Sequence, residues 1–322
     1  MPEAPADIDV RDPLDPGMER LLRMVETADQ PRIVDLDPPA ARAWADRMFQ
    51  VPDPPRPLAL VENWVIDGPA GDLPCRLYHP SPGTPCPLLV HFHGGGWVLG
   101  SLDQADDVCR RLAGEGRVAV LSVDYRLAPE HPYPAAIEDA QAAVRHVLRH
   151  AADFEAMPDR IGVSGDSAGG HLAAIAAQTV RDDGHDPGLA LQYLIYPVTD
   201  CDFERPSMIA NATGRLLETA GMGWFWDHFC PDHARRTEWT ASPIRRDSLT
   251  GVAPAVVALA AHDPLYSEGI AYARRLEEAG VVTTVRIARD LIHGYFGLTA
   301  ASERADAEVG LLNRLVGASL NA

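Results

Sequence analysis

The residues best suited to chemistry stand together at Gly165-Asp166-Ser167-Ala168-Gly169-Gly170, a G-x-S-x-G spacing. The run Arg160-Ile161-Gly162-Val163-Ser164 leads into it, and His171-Leu172-Ala173-Ala174-Ile175-Ala176-Ala177 leads out of it with helical character. A serine on so sharp a strand-to-helix turn needs small neighbours, because a Cβ on either side would strike the strand or the helix. The helix that follows aims its positive end at the serine, where negative charge develops during attack. The implied chemistry is nucleophilic attack by Ser167.

A serine hydroxyl needs a base, and the base needs an acid to orient it. In this strand-turn-helix setting the chain order is serine, acid, histidine. Six histidines follow Ser167. His171 lies one turn along the same helix, and His185 sits among Arg181, Asp182, Asp183 and Asp186 in a charged loop. His228 and His233 fall in an aromatic insertion, and His262 is one residue from the best acid. That leaves His293, in Arg289-Asp290-Leu291-Ile292-His293-Gly294. For the acid, Asp263 follows the apolar run 255–259 directly, and Pro264 keeps a helix from starting on it. Asp290 is the fallback, three residues from the histidine it would have to orient. The tetrahedral intermediate also needs N–H donors. The amide of Ala168 supplies one, and His93-Gly94-Gly95-Gly96-Trp97, after the run 87–92, stands where the others are expected. Glycines there let backbone amides approach the substrate.

The elements that position these residues form an alternating series. Strand-like runs cover 58–66, 74–78, 87–93, 118–123, 160–163, 189–196, 255–259 and 281–287. Helical patterns cover 104–112, 135–150, 168–180, 268–279 and 304–315. Near-continuous apolar strands alternating with helices predict an α/β fold with a mostly parallel sheet covered on both faces. The first two strands have no helix between them and predict an antiparallel hairpin. Residues 1–50 are acidic and helical in pattern, with apolar patches at Leu21, Leu22, Met24, Val25 and at Ala43, Trp44, Met48, Phe49. The proline-rich stretch 51–57 then breaks any helix and reads as a linker. The alternation lapses at 201–243, which holds three of the six tryptophans. We expect this insertion to be a helical lid rather than a plain buried helix pair.

Composition removes other chemistries. All 28 basic residues are Arg, so Schiff-base, pyridoxal-phosphate and Walker A lysines are excluded. A net charge of −18 with no basic run argues against nucleic acid and anionic lipid as partners. The five cysteines are scattered and contain no C-x-x-C, which fits a reducing compartment. Residues 1–7 lack the pattern of a signal peptide, and no apolar stretch approaches membrane-helix length, so a cytoplasmic location is expected.

Taken together, His93-Gly94-Gly95-Gly96-Trp97, Asp124-Tyr125-Arg126-Leu127-Ala128-Pro129-Glu130, Gly165-Asp166-Ser167-Ala168-Gly169-Gly170, Asp263-Pro264-Leu265 and Ile292-His293-Gly294 resemble the hormone-sensitive-lipase family. These are the bacterial family IV carboxylesterases of the α/β-hydrolase fold, and Asp166 resembles their GDSAG subgroup. The resemblance covers about residues 55 to 320, and Met222-Gly223-Trp224-Phe225-Trp226 resembles the family's cap. It implies an eight-stranded, mostly parallel sheet flanked by helices, with a helical cap. The cap would combine residues 1–50 with 201–243, and the catalytic domain would comprise 51–200 and 244–322. It implies no cofactor, Ser167 as nucleophile, Asp263 as acid and His293 as base. The oxyanion donors would be Ala168 with two of Gly94, Gly95 and Gly96. Tyr266-Ser267 departs from the Arg-Asp more usual after the acid, which bears on a surface ion pair and not on the triad.

Trp97, Trp224 and Trp226 are expected to line an apolar acyl pocket, and the resemblance favours short- to medium-chain esters. His91-Phe92-His93 could begin a metal site, but no further ligands stand at matching spacing, so no metal is expected. His93 is instead expected to brace the glycine loop, with the turn from Tyr125 to Glu130 beneath it. An amidase or formamidase could use the same residues, and a non-catalytic binding relative is the rival from another class. A homodimer is the expectation for families of this kind.

Overall fold

All eight strand-like runs pair into one sheet. The computed structural model describes residues 11–28, 30–48 and 54–322. The strands are β1 (Leu60–Gly68), β2 (Gly71–His79), β3 (Cys86–Phe92), β4 (Ala119–Val123), β5 (Ala156–Asp166), β6 (Leu191–Ile195), β7 (Ala255–His262) and β8 (Thr283–Ile292). Their order across the sheet is β1-β2-β4-β3-β5-β6-β7-β8. The β1–β2 hairpin is antiparallel, and so is β2 against β4; the rest run parallel. Every residue of β4, β6 and β7 is buried; apolar side chains dominate, and the polar Ser122, Gln192 and His262 are buried with them. β8 forms an edge of the sheet, and its first residues alternate between exposed and partly buried.

The helices are α1 (Pro16–Thr27), α2 (Pro38–Met48), α3 (Asp106–Gly116), α4 (Ala135–Arg149), α5 (Ala168–Asp183), α6 (Pro206–Ala210), α7 (Thr219–Phe229), α8 (Tyr266–Glu278) and α9 (Glu303–Asn321). Two apolar layers result. Side chains of α4, α5 and α8 pack on one face of the sheet, and those of α3 and α9 pack on the other. Each fully buried Leu or Val, such as Leu89 and Val90, contributes about 1.5–3 kcal/mol over an exposed one.

Leu21, Leu22 and Trp44 of the expected N-terminal patches pack partly buried against the core, but one methionine differs. Met18, not Met24, is the buried methionine of α1, and Met24 is 67% exposed. The reason is the dock: the chain crosses the end of β8, with Asp12 and Asp15 amides bonding Arg289 and Asp290 carbonyls, and this turns Met18 inward. In α2, Ala41 and Ala45 are buried and Trp44 is partly so. Phe49 and residues 51–53 of the expected linker lie outside the described residues. Among the described residues no helix is long and apolar enough to cross a membrane.

Candidate active site

The strands β3, β5, β7 and β8 lead at their C-terminal ends into the glycine loop, Ser167, Asp263 and His293, while Trp224 and Trp226 stand on α7. β5 pairs as far as Asp166 opposite Ile195, and the Ser167 amide donates to the Ile195 carbonyl at 2.9 Å. The chain then reverses into α5 with Ser167 at φ +56°, ψ −118°, a conformation costly for any residue with a Cβ. The turn closes only because its neighbours are bare. A Cβ on Gly165 would strike the Gly169 carbonyl, and one on Gly169 would strike the Phe92 carbonyl.

Three far-separated side chains meet at this turn. His293 Nε2 lies 3.0 Å from Ser167 Oγ, and His293 Nδ1 lies 2.7 Å from Asp263 Oδ2. Asp263 is fully buried; its other oxygen accepts from the Leu265 amide at 2.8 Å, and its carbonyl accepts from Asn211 Nδ2 at 3.1 Å. A buried carboxylate with these fixed donors holds the imidazole so that Nδ1 keeps the proton and Nε2 faces the hydroxyl. β8 extends to Ile292, so His293 sits immediately past a strand end rather than deep in a loop. Asp290 pairs instead with Arg304 at 3.2 Å. The Tyr196 ring lies 4.6 Å from the His293 ring.

The glycine loop narrows the candidate donors. The Gly94 amide is occupied, donating to Asp166 Oδ1 at 2.9 Å, so of the three candidate glycines Gly95 and Gly96 are the two left to face a substrate. A carboxylate directly under that amide outcompetes any incoming oxygen. The amides of Gly95, Gly96 and Ala168 have no acceptor among the described residues. Gly96 sits at φ +59°, and a Cβ there would strike the Phe225 ring.

Buried imidazoles brace the loop. Burial pushes His93 down to about 4, and its Nδ1 donates to the Gly94 carbonyl at 2.7 Å. Tyr125 stacks on that ring at 4.4 Å and donates its hydroxyl to the His93 carbonyl at 2.8 Å. His91, pushed down to about 3 by burial, pairs with Ser164 Oγ at 3.0 Å. Asp166 is pushed up to about 6, burial outweighing the nearby His293 and the Gly94 amide. Among the described residues no three His, Cys, Asp or Glu side chains could jointly hold a metal ion.

The aromatic residues divide. Trp97 and Trp226 have no exposed surface, which corrects the expectation that they line a pocket. The turn at Trp97, φ +60°, swings its indole inward to stack on Phe229 at 4.0 Å, and its Nε1 donates to His171 Nδ1 at 3.1 Å. Trp226 packs edge-on against it at 5.0 Å. Trp224 is partly exposed, and its Nε1 donates to the Leu36 carbonyl at 3.2 Å, tying α7 to the N-terminal segment. Phe225, one residue away on α7, is the ring that faces Gly96.

Arg42 on α2 was invisible to the sequence reading. Its guanidinium donates to the Val98 and Ala128 carbonyls, both at 2.9 Å, and to both oxygens of Glu130 at 2.8 and 2.6 Å. It therefore clamps the far side of the glycine loop. No local pattern marks a contact between residues 42 and 98; its one signal is Glu130, a carboxylate ending the turn beneath the loop.

Comparison with known proteins places these features in context. A family model described as alpha/beta hydrolase fold matches residues 89–297. The chain is 43% identical over 270 residues to carboxylic ester hydrolase LipN of Mycobacterium tuberculosis, covering 82% of this chain and 72% of that protein. It is 38% identical over 237 residues to ethyl acetate hydrolase of Pseudomonas putida, covering 73% and 74%. The structure of ester-hydrolase EH1AB1 from the metagenome of Lake Arreo, complexed with a bipyridine phosphonate derivative, matches with a TM-score of 0.91 at 40% identity, covering 96% of this chain and 100% of that one.

Proposed function

The chain belongs to the α/β-hydrolase family and is a carboxylic ester hydrolase, and from that premise we propose that it works through Ser167, His293 and Asp263 by an acyl-enzyme route. Ser167 Oγ attacks the ester carbonyl carbon while its proton passes to His293 Nε2. The carbonyl π electrons move to oxygen, and the amides of Ala168, Gly95 and Gly96 receive that charge. The intermediate collapses, the bond from carbon to the alcohol oxygen breaks, and the His293 proton leaves with the alcohol. Water, losing its proton to His293, then adds to the acyl carbon; this second intermediate collapses, the bond from carbon to Ser167 Oγ breaks, His293 Nε2 returns the proton to Oγ, and the acid leaves. Asp263 orients the imidazole and stabilises its charged form throughout. The observation that carries this reading is the unbroken contact series from Asp263 to His293 to Ser167, beside three unoccupied amides.

We read α1, α2 and residues 201–243 as the cap over this site, and short- to medium-chain acyl esters as its substrates. Phe225 beside Gly96 supports an apolar wall of limited depth. Parallel initial rates on p-nitrophenyl butyrate and p-nitrobutyranilide test the assignment. The ester should turn over with an early burst of p-nitrophenol. Faster anilide cleavage would overturn the ester preference, and loss of activity with EDTA would overturn the metal-free mechanism.

A further inference from the structure

Arg215 is partly buried and has no carboxylate partner among the described residues. Arg42, Arg126 and Arg205 all pair with carboxylates. Among the described residues, Arg215 donates only to the Gly214 carbonyl at 2.9 Å and to His262 Nδ1 at 3.4 Å. Its Nε is buried and has no acceptor among the described residues. A guanidinium carries five N–H groups in a planar fork that matches a carboxylate bidentately, and most of this fork is unused. His262 cannot neutralise it. Its Nδ1 accepts from the arginine and its Nε2 donates to the Asp12 carbonyl at 2.9 Å, so the imidazole is the neutral tautomer. Arg11 adds a second positive charge nearby: its Nη1 donates to Asn211 Oδ1 at 3.3 Å, and its charge, after burial, holds the Arg215 guanidinium below its usual value.

The place of this cation is what gives it meaning. Asn211 reaches the Asp263 carbonyl with its other end, so the cluster adjoins the acid of the triad. Leu216 Cδ2 lies 4.0 Å from where a Cβ on Gly294 would stand. Gly294 follows His293 at φ +80°, with no side chain to wall off the space. His293, Gly294, Leu216 and Arg215 are all partly exposed. Partly exposed residues therefore connect the imidazole to the guanidinium, through His293-Gly294, the approach of Leu216 to Gly294, and Leu216-Arg215. We propose that Arg215 receives a carboxylate carried by the substrate, so that esters bearing a second, ionised carboxyl group are a substrate class of this enzyme. In a chain of net charge −18 such a substrate would otherwise be repelled, and a local cation beside the triad supplies the attraction. The inference rests on the esterase reading above.

The test compares p-nitrophenyl hydrogen glutarate with p-nitrophenyl pentanoate, and 4-acetoxybenzoate with methyl 4-acetoxybenzoate, in wild type, Arg215→Met and Arg215→Lys. Placing the carboxylate on the acyl part in one pair and on the alcohol part in the other covers both orientations. The ratio of kcat/KM for charged over neutral ester should fall about tenfold in Arg215→Met for at least one pair, mainly through KM, as expected for losing a charge-assisted pair. Arg215→Lys should recover part of it, and added salt should erode the wild-type ratio. Equal ratios in wild type and Arg215→Met for both pairs would overturn the inference while leaving the esterase reading intact. Failure of wild type on every neutral ester would instead overturn the esterase reading.

Discussion

The hydrolytic centre and the aromatic cover above it are built by opposite means. The centre stands on strand ends. Ser167 is fixed by pairing with Ile195 and by glycines pressed against Phe92, while Asp263 and His293 leave adjacent parallel strands. The cover is held by packed rings, Trp97 on Phe229 and Trp226 on Trp97, and by a few polar ties from the N-terminal segment. The difference teaches where rigidity is placed. The Ser167, Asp263 and His293 side chains are located by hydrogen-bond ladders that cannot slip by part of a residue, whereas the rings of the cover are held by packing, which tolerates volume-conserving change.

Breaking the centre should have the largest effect. His293→Ala should lower kcat for p-nitrophenyl butyrate by a factor on the order of 10³–10⁴ with little change in melting temperature, since the ring is not a core residue. A loss below about tenfold in steady-state assays would mean that the base lies elsewhere. Cutting the tie between the two regions should do less. Arg42→Ala frees the Val98 and Ala128 carbonyls and should lower kcat about three- to tenfold through a displaced glycine loop. Stability should fall by about 1 kcal/mol, as partly exposed hydrogen bonds are lost. An unchanged kcat would show that the cover and the loop are independent.

The smallest effect sharpens the comparison by exposing what the centre costs. Asp166 sits at about 6 when folded against an unfolded value of about 3.9. Between about pH 4 and pH 6 the folded state binds more protons than the unfolded chain, so stability falls as pH rises through that window, and the penalty persists above it. Asp166→Asn removes the charge and keeps an acceptor for the Gly94 amide. Its melting temperature should match wild type near pH 4 and exceed it at pH 7. Equal melting temperatures at both would contradict a destabilising Asp166 charge.

Legibility in the sequence followed the same division. The central strands are legible because buried parallel strands are mostly apolar, as in β4, β6 and β7, and the half-exposed β1 and β8 still carry enough apolar residues to mark a run. Ser167, Asp263 and His293 can be singled out because each directly follows a strand in the chain order serine, acid, histidine, and their side chains lie in contact. What the sequence hid were side-chain directions and long-range partners. Trp97 looks like a pocket residue until the positive φ at its turn sends the indole into the core. Gly94 looks like a donor until Asp166 takes its amide. Arg42 and Arg215 carry no periodic signature, because what they touch is decided only when the N-terminal segment and residues 211–218 settle over the sheet.

The most direct test of the central claim is covalent labelling by a fluorophosphonate, with the adduct mapped by peptide mass spectrometry. The account predicts one equivalent of label on Ser167, loss of ester hydrolysis in proportion, and no labelling of Ser167→Ala. Label on another residue, or ester hydrolysis that survives full modification of Ser167, would contradict it.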